Sequence, residues 1–393
     1  MKGKRISILV KSIFFAILFF SQTFANSYAQ LIKADERLSV YLPLLQDKKV
    51  AVVANHTSLI GSTHLVDTLL RRNVDIKIIF TPEHGFKGSE EAGKLINGTQ
   101  YYKDSIQIIS LYGKHKQPSD KDMSGIDVVL FDLQDVGCRF YTYISTLQYV
   151  MRSCIDNSKA LIVLDRPNPN NFVDGPILRP DCKSFVGLQP IPICYGLTIG
   201  EYANMINDEN WVDSLLRCDL TVIKMLSYNR DSVYALDVSP SPNLQTMQAI
   251  KNYPTLCLFE GTIVSVGRGT NTPFEIIGFP NYSHGDTLFT PKAIKGVAEN
   301  PPFLSQTCNG KRIEIQNDTI QLSIIIDAYQ DWLQQGDNFK HKEKFFNRMF
   351  DLLSGSEELK QQILSNQSEQ TIRQTWLQDL EAYNSLRRKY LLY

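Results

Sequence analysis

The 393-residue chain has no excess charge of either sign, because 41 basic and 41 acidic side chains leave a formal net charge of zero. It therefore lacks the field that would gather nucleic acid or an anionic membrane surface, and no nucleic-acid partner is expected. Long apolar runs are missing as well. The most apolar stretch, 12–20, falls short of the roughly 20 residues that a bilayer span requires. No GxGxxG or GxxxxGK[ST] occurs, so a dinucleotide or nucleoside-triphosphate site would lack its phosphate cradle. No GxSxG elbow presents a serine nucleophile, and neither HExxH nor CxxC fixes the geometry of a metal site. The seven cysteines are scattered and odd in number; most read as buried small hydrophobes, and no disulfide is assigned.

What is present begins with a leader. Lys2, Lys4, Arg5 and Lys11 precede the short apolar run, which ends among Thr23, Ala25, Ser27 and Ala29. This is the pattern of a Sec-type signal peptide cleaved after Ala25 or Ala29. It predicts an exported chain, periplasmic or secreted, with no stable membrane insertion once mature. No cysteine lies near either cleavage point to carry a lipid anchor.

Beyond the leader, one pattern recurs. Short apolar runs at 49–54, 76–80, 106–111, 128–131 and 161–164 each end in polar residues: NHT, TPEHG, YGKH, DLQDVG and DRPNP. Continuous apolar strands separated by helical stretches, such as 61–73 and 143–157, predict a parallel sheet covered on both faces. Ligands bind beyond the carboxyl ends of such strands, so the polar loops should share one rim. A helix should begin near Thr198, with Glu201 completing a capping box. After Arg230 the texture changes to long loops and short strands, with a charged, helix-rich tail from about Asp327. The expected organisation is a signal peptide over 1–29, an α/β domain over 30–235 and a smaller α+β domain over 236–393 that completes the cleft.

Several residues on these loops could carry chemistry. Glu83 and His84 follow a strand directly, between Pro82 and Gly85, and a carboxyl beside an imidazole suits a general acid. Asp132, Gln134, Asp135, Arg139, Tyr141 and Tyr143 form a dense polar group at another strand end; the alternative is an Arg–Asp ion pair with core tyrosines. Asp165, Arg166 and Asn168 make a rigid corner among prolines, and Asn55 with His56 another, though either corner could simply cap turns. In the second half Glu260, Arg268, Thr270 and Glu275 lie among glycines that permit close approach of a ligand. A metal site built on His56, His84 and nearby aspartates is the lesser alternative.

The segments FTPEHGFKG, DVVLFDLQDVGCRFYTYISTL, VLDRPNPN, SFVGLQPIPICYGLTIGE, YPTLCLFEGT and GRGTNTPFEIIG closely resemble, in order and wording, the exo-β-N-acetylmuramidase (NamZ-type) family. The resemblance runs from about residue 48 to the end. It implies a Rossmann-like N-terminal domain, a smaller C-terminal domain and a cleft between them. It also implies hydrolysis of β-linked N-acetylmuramic acid (MurNAc) from the non-reducing ends of peptidoglycan-derived saccharides, MurNAc-GlcNAc and muropeptides, without metal or organic cofactor. The family's PEHG glutamate corresponds to Glu83. Asp132 and Asp135, then Glu260, are the candidates for its catalytic partner, since glycosidases usually pair two carboxyl groups. One departure stands out: Val266 replaces the acidic residue in the family's usual SEGRGT. A non-catalytic muropeptide-binding protein and a metal-dependent hydrolase are the competing readings.

Overall fold

The computed structural model describes residues 30–88, 100–103, 105–232, 234–335 and 345–393; the leader expected over 1–29 lies outside them. Seven strands form the main sheet: β1 Lys49–Ala54, β2 Asp75–Thr81, β3 Gln100–Tyr102, β4 Ile106–Ser110, β5 Val128–Asp132, β6 Ala160–Leu164 and β7 Asp219–Ile223. Their order is β7-β6-β5-β1-β2-β4-β3. All pairings are parallel except that of the edge strand β3 with β4. The five loops singled out in the sequence therefore leave one edge of the sheet.

Side chains on a strand alternate between faces, and the two faces pack against different cores. Ala51, Val53, Val129, Phe131, Leu161 and Val163 point into the larger core. Val50, Val52, Val128, Leu130, Ile162 and Leu164 point into a second. The larger face is covered by helices Tyr143–Asp156 and Ile199–Asp208, the other by Leu38–Leu45 and Leu65–Arg71. In the first of these, Ile144, Leu147, Met151 and Cys154 recur at helical spacing and are buried. The predicted capping box is present: the Thr198 hydroxyl accepts from the Glu201 N–H, and the Glu201 carboxylate accepts from the Thr198 N–H at 2.9 Å.

Two features depart from the sequence reading. The helix expected over 61–73 is shortened to Leu65–Arg71, because Leu59–Ile60 and Thr63–His64 pair as a small hairpin around Gly61, whose φ is 58°. Strands β3 and β7 were not anticipated. As an edge strand, β7 alternates exposed and half-buried residues and so has no continuous apolar run to reveal it.

The second half carries a three-stranded antiparallel sheet, β8 Ile276–Phe279, β9 Thr287–Phe289 and β10 Cys308–Arg312, in the order β8-β10-β9. It is followed by helices Leu322–Gln334, Arg348–Ser354, Glu358–Leu364 and Leu377–Arg387, of which the first packs Trp332 against Phe279 of β8. Phe274, Ile277, Phe350 and Trp376 join the same large core as Val53 and Phe131, so the apolar interior is continuous between the halves. All seven cysteines are buried and unbonded. Among the described residues no helix is long and apolar enough to cross a membrane.

Candidate active site

A cleft of about 580 Å³ opens beyond the carboxyl ends of β2, β4 and β5, on the larger-core side of the sheet. Glu83 lies on its wall. Pro82 ends β2, and His84 and Gly85 both take left-handed backbone, each with φ 69°, so the chain reverses abruptly. A left-handed histidine is uncommon, and such conformations persist where the surroundings enforce them. The turn presents the Glu83 carboxylate to two hydroxyls. Thr142 donates to it at 3.1 Å, and Tyr112 hydrogen-bonds it from the loop after β4. Burial, then the charge of Glu83, pushes the Tyr112 phenol well above its ordinary value, so it remains a protonated donor. His84 is largely buried and lines the same cleft.

The second half contributes Glu260 and Arg268, whose side chains form an ion pair on the cleft wall. Aromatic rings make the floor: Phe140 and Phe274 meet Tyr253 edge-on, at centroid distances of 5.3 and 5.1 Å. Tyr141 also lines it, with its hydroxyl donating to the Pro240 carbonyl at 2.8 Å. Carboxylates set among aromatic faces suit a carbohydrate, whose C–H faces stack while its hydroxyls and glycosidic oxygen meet polar groups.

Of the candidates chosen from sequence, Glu83, His84, Tyr141, Glu260 and Arg268 are brought together here. The others are committed to the framework. Asp132 points to the opposite face of the sheet, where it forms a bidentate pair with Arg166 at 2.6 and 2.8 Å; Arg166 also bonds Asp35 at 2.9 Å. The alternation explains this placement. Asp132 continues the series Val128 and Leu130, and Arg166 the series Ile162 and Leu164, so both leave adjacent strands on the side away from the cleft.

Asp165 accepts from the Gly200 N–H and the hydroxyls of Thr198 and Tyr393, each at 2.8 Å, and burial raises its carboxyl to about 6. Asn55 donates to the Tyr143 hydroxyl at 2.8 Å and accepts from Thr57, which occupies both side chains beneath the cleft. His56 bridges to the Ser239 carbonyl at 2.8 Å, and Gly88 lies so close to its ring that a Cβ there would overlap it. Gln134 donates to the carbonyls of Asp135 and Pro167, and Asn168 to that of Leu197. Thr270 donates to the Gly267 carbonyl within its own loop, and Glu275 accepts from the Thr246 hydroxyl at the start of the Met247–Leu256 helix.

Arg139 is wholly buried, and its guanidinium donates to the carbonyls of Pro176, Ile191 and Leu353 at 2.7–2.9 Å. Burial lowers it to about 9, which leaves it charged at neutral pH. It holds the Arg348–Ser354 helix against the first half from behind the cleft instead of meeting a ligand.

Asp135 also lies beneath the cleft. Its carboxyl accepts from the Gly137 N–H at 2.6 Å and from the Tyr195 hydroxyl, while Oδ1 has no hydrogen-bond partner. Burial pushes it up to about 7. An unfolded aspartate releases its proton near pH 4. Between about pH 4 and the folded value of about 7, the folded chain holds a proton that the unfolded chain has lost, so this group's stabilising contribution falls as pH rises. Asn cannot titrate. The stability advantage of wild type over Asp135→Asn should therefore shrink from pH 4 to 7 in denaturant titrations, and an advantage constant across that range would contradict the assignment.

Among the cleft residues that the sequence reading missed are Tyr112, Lys116, Thr142, Phe185 and Tyr253. Tyr112 stands two residues beyond the end of β4, as Glu83 does beyond β2, so the same positional argument could have found it. Phe185 and Tyr253 enter from connections whose direction local pattern does not encode. Among the described residues no group of three or more His, Cys, Asp or Glu side chains is gathered as a metal site would require.

Comparison with known proteins converges on one family. Residues 50–248 match the model of the exo-β-N-acetylmuramidase NamZ N-terminal domain, and residues 251–393 that of its C-terminal domain. The chain is 34% identical over 382 residues to the peptidoglycan β-N-acetylmuramidase NamZ of Bacillus subtilis, covering 91% of this chain and 90% of that protein. Two DUF1343 family crystal structures from Bacteroides fragilis are also similar. One aligns with TM-score 0.83 and 40% identity, covering 93% of this chain and 99% of the other. The second aligns with TM-score 0.77 and 26% identity, covering 92% and 99%.

Proposed function

This chain belongs to the exo-β-N-acetylmuramidase NamZ family, and from that premise we propose that Glu83 is the general acid of its cleft and Glu260 the second carboxylate. The enzyme is an exo-acting glycosidase that releases MurNAc from peptidoglycan fragments. The observation that supports the assignment is the placement of Glu83: it is the family's PEHG glutamate, it lies on the cleft wall, and two hydroxyls orient it. In this reading Glu83 gives its proton to the glycosidic oxygen as the bond from C1 to that oxygen breaks. A water adds to C1, and its proton passes to a carboxylate. Glu260, paired with Arg268, is the other carboxylate available from the second half. The cleft volume falls in the range of small-molecule sites and fits one or two sugar units better than an extended strand. The substrates of this reading are MurNAc-GlcNAc and muropeptides taken from their non-reducing ends.

Turnover tests the reading directly. The purified mature chain should hydrolyse a chromogenic β-MurNAc glycoside far faster than the β-GlcNAc counterpart, and should do so equally well in chelator. Binding without turnover would instead favour a muropeptide-binding protein, and loss of activity in chelator a metal hydrolase.

Export is part of the same proposal, because a peptidoglycan substrate lies outside the cytoplasm and the basic, apolar and small-residue order of 1–29 suits a cleaved leader. Mass spectrometry of the native protein should find a terminus at Asn26 or Gln30; an intact Met1 would contradict export by this route.

A further inference from the structure

MurNAc differs from GlcNAc by a lactyl ether on C3, which ends in a carboxylate. An enzyme that prefers MurNAc needs a means of reading that group. Among the described residues, two cationic Lys or Arg side chains lie on the cleft wall. Arg268 is already neutralised by Glu260 and packs over the Phe274 ring. Lys116 has no carboxylate partner among the described residues. Its ammonium sits 4.9 Å from the centroid of the Phe185 ring. Phe185 in turn meets Tyr112 edge-on at 5.9 Å, and Tyr112 hydrogen-bonds Glu83. Glu83, Tyr112, Phe185 and Lys116 thus follow one another along a single wall, with the proposed acid at one end and an uncompensated positive charge at the other.

We propose that Lys116 receives the lactyl carboxylate of MurNAc and is the residue by which this cleft prefers a MurNAc unit to a neutral one. The inference rests on the glycosidase reading above. The contact of the Lys116 ammonium with the Phe185 ring limits its rotamers and holds the charge near the wall, so less freedom is lost when the anion arrives. An ammonium with no carboxylate partner among the described residues gains more from an incoming anion than Arg268, which would have to exchange Glu260 for it. A lysine resting on an aromatic ring at the protein surface is common; the difference here is that Lys116 and Phe185 both line the cleft that holds Glu83.

The test compares two chromogenic β-MurNAc glycosides, one with the free lactyl acid and one with its methyl ester, which keeps the shape and removes the charge. A hydrogen bond to a charged group contributes about 10- to 100-fold in affinity. Wild-type enzyme should therefore favour the acid over the ester by about that factor in kcat/KM. In Lys116→Met this ratio should fall toward one, chiefly through KM for the acid, and Lys116→Arg should restore most of it. The proposal is overturned if Lys116→Met keeps the wild-type ratio, or if it loses acid and ester turnover in equal proportion, as a merely structural lysine would. Wild-type enzyme that hydrolyses neither glycoside would reject the glycosidase reading itself, an outcome distinct from both.

Discussion

Glu83→Gln is expected to leave the fold intact and to lower kcat on a natural MurNAc-GlcNAc disaccharide by about 10²- to 10⁴-fold, the usual range for general acid-base help, or roughly 3 to 5 kcal/mol of barrier. The amide matches the carboxyl in shape and can still accept a hydrogen bond from Thr142 or Tyr112, so the Pro82–Gly85 turn has little reason to rearrange. It cannot deliver a proton to the glycosidic oxygen. Substrate affinity should change much less than turnover. The leaving group separates this role from that of Glu260. A nitrophenolate departs without protonation and should recover much of the lost rate in Glu83→Gln, whereas Glu260→Gln should remain slow on both substrates. A folded Glu83→Gln protein with near-normal kcat on the disaccharide would remove Glu83 from the mechanism.

Asp132→Asn should instead be severe for stability and mild for chemistry. The carboxylate is fully buried and shares the Arg166 guanidinium with Asp35, so the substitution leaves a buried cation with half its compensation and turns an amide N–H toward it. Breaking a buried pair from one side costs about 3–5 kcal/mol. Whole proteins are stable by only about 5–15 kcal/mol, so the loss is large. It should appear as a lower denaturant midpoint and a lower yield of folded protein. Turnover per folded molecule should stay near that of wild type, because Asp132 lies on the far side of the sheet from the cleft. A normal midpoint with lost turnover would return Asp132 to the reaction.

The contrast between Glu83 and Asp132 shows how far local pattern can reach. Both lie at the ends of apolar strands, both are acidic, and both fall within the stretch that matches the family's N-terminal domain. Glu83 stands two residues beyond β2, past a proline and before two left-handed residues, and that turn carries it over the rim. Asp132 is the last residue of β5 and obeys the pleat, which sends it to the face of Leu130. The density of polar residues over 132–143 suggested a binding site. In the folded chain Gln134, Asp135 and Arg139 of this stretch are buried scaffold that, with Asn55, holds loops and the second half in place, and only Phe140, Tyr141 and Thr142 near its end reach the cleft.

The sequence by itself determined the parallel sheet, its five main strands, the capped helix at Thr198 and the family. Each of these is a local property: apolar run length, a capping pair, or a motif read along the chain. Only the tertiary structure decided which face of the sheet holds the cleft, and with it which polar residues line it. That choice depends on where the second half packs. The loop at Ser239–Pro240 is bonded to His56 and Tyr141 above the β1 and β5 ends. The cleft is left to the β2, β4 and β5 loops, where Phe185, Tyr253, Glu260 and Arg268 arrive from distant parts of the chain. Contacts of that range come from packing one continuous core, and no spacing of residues along the chain encodes them.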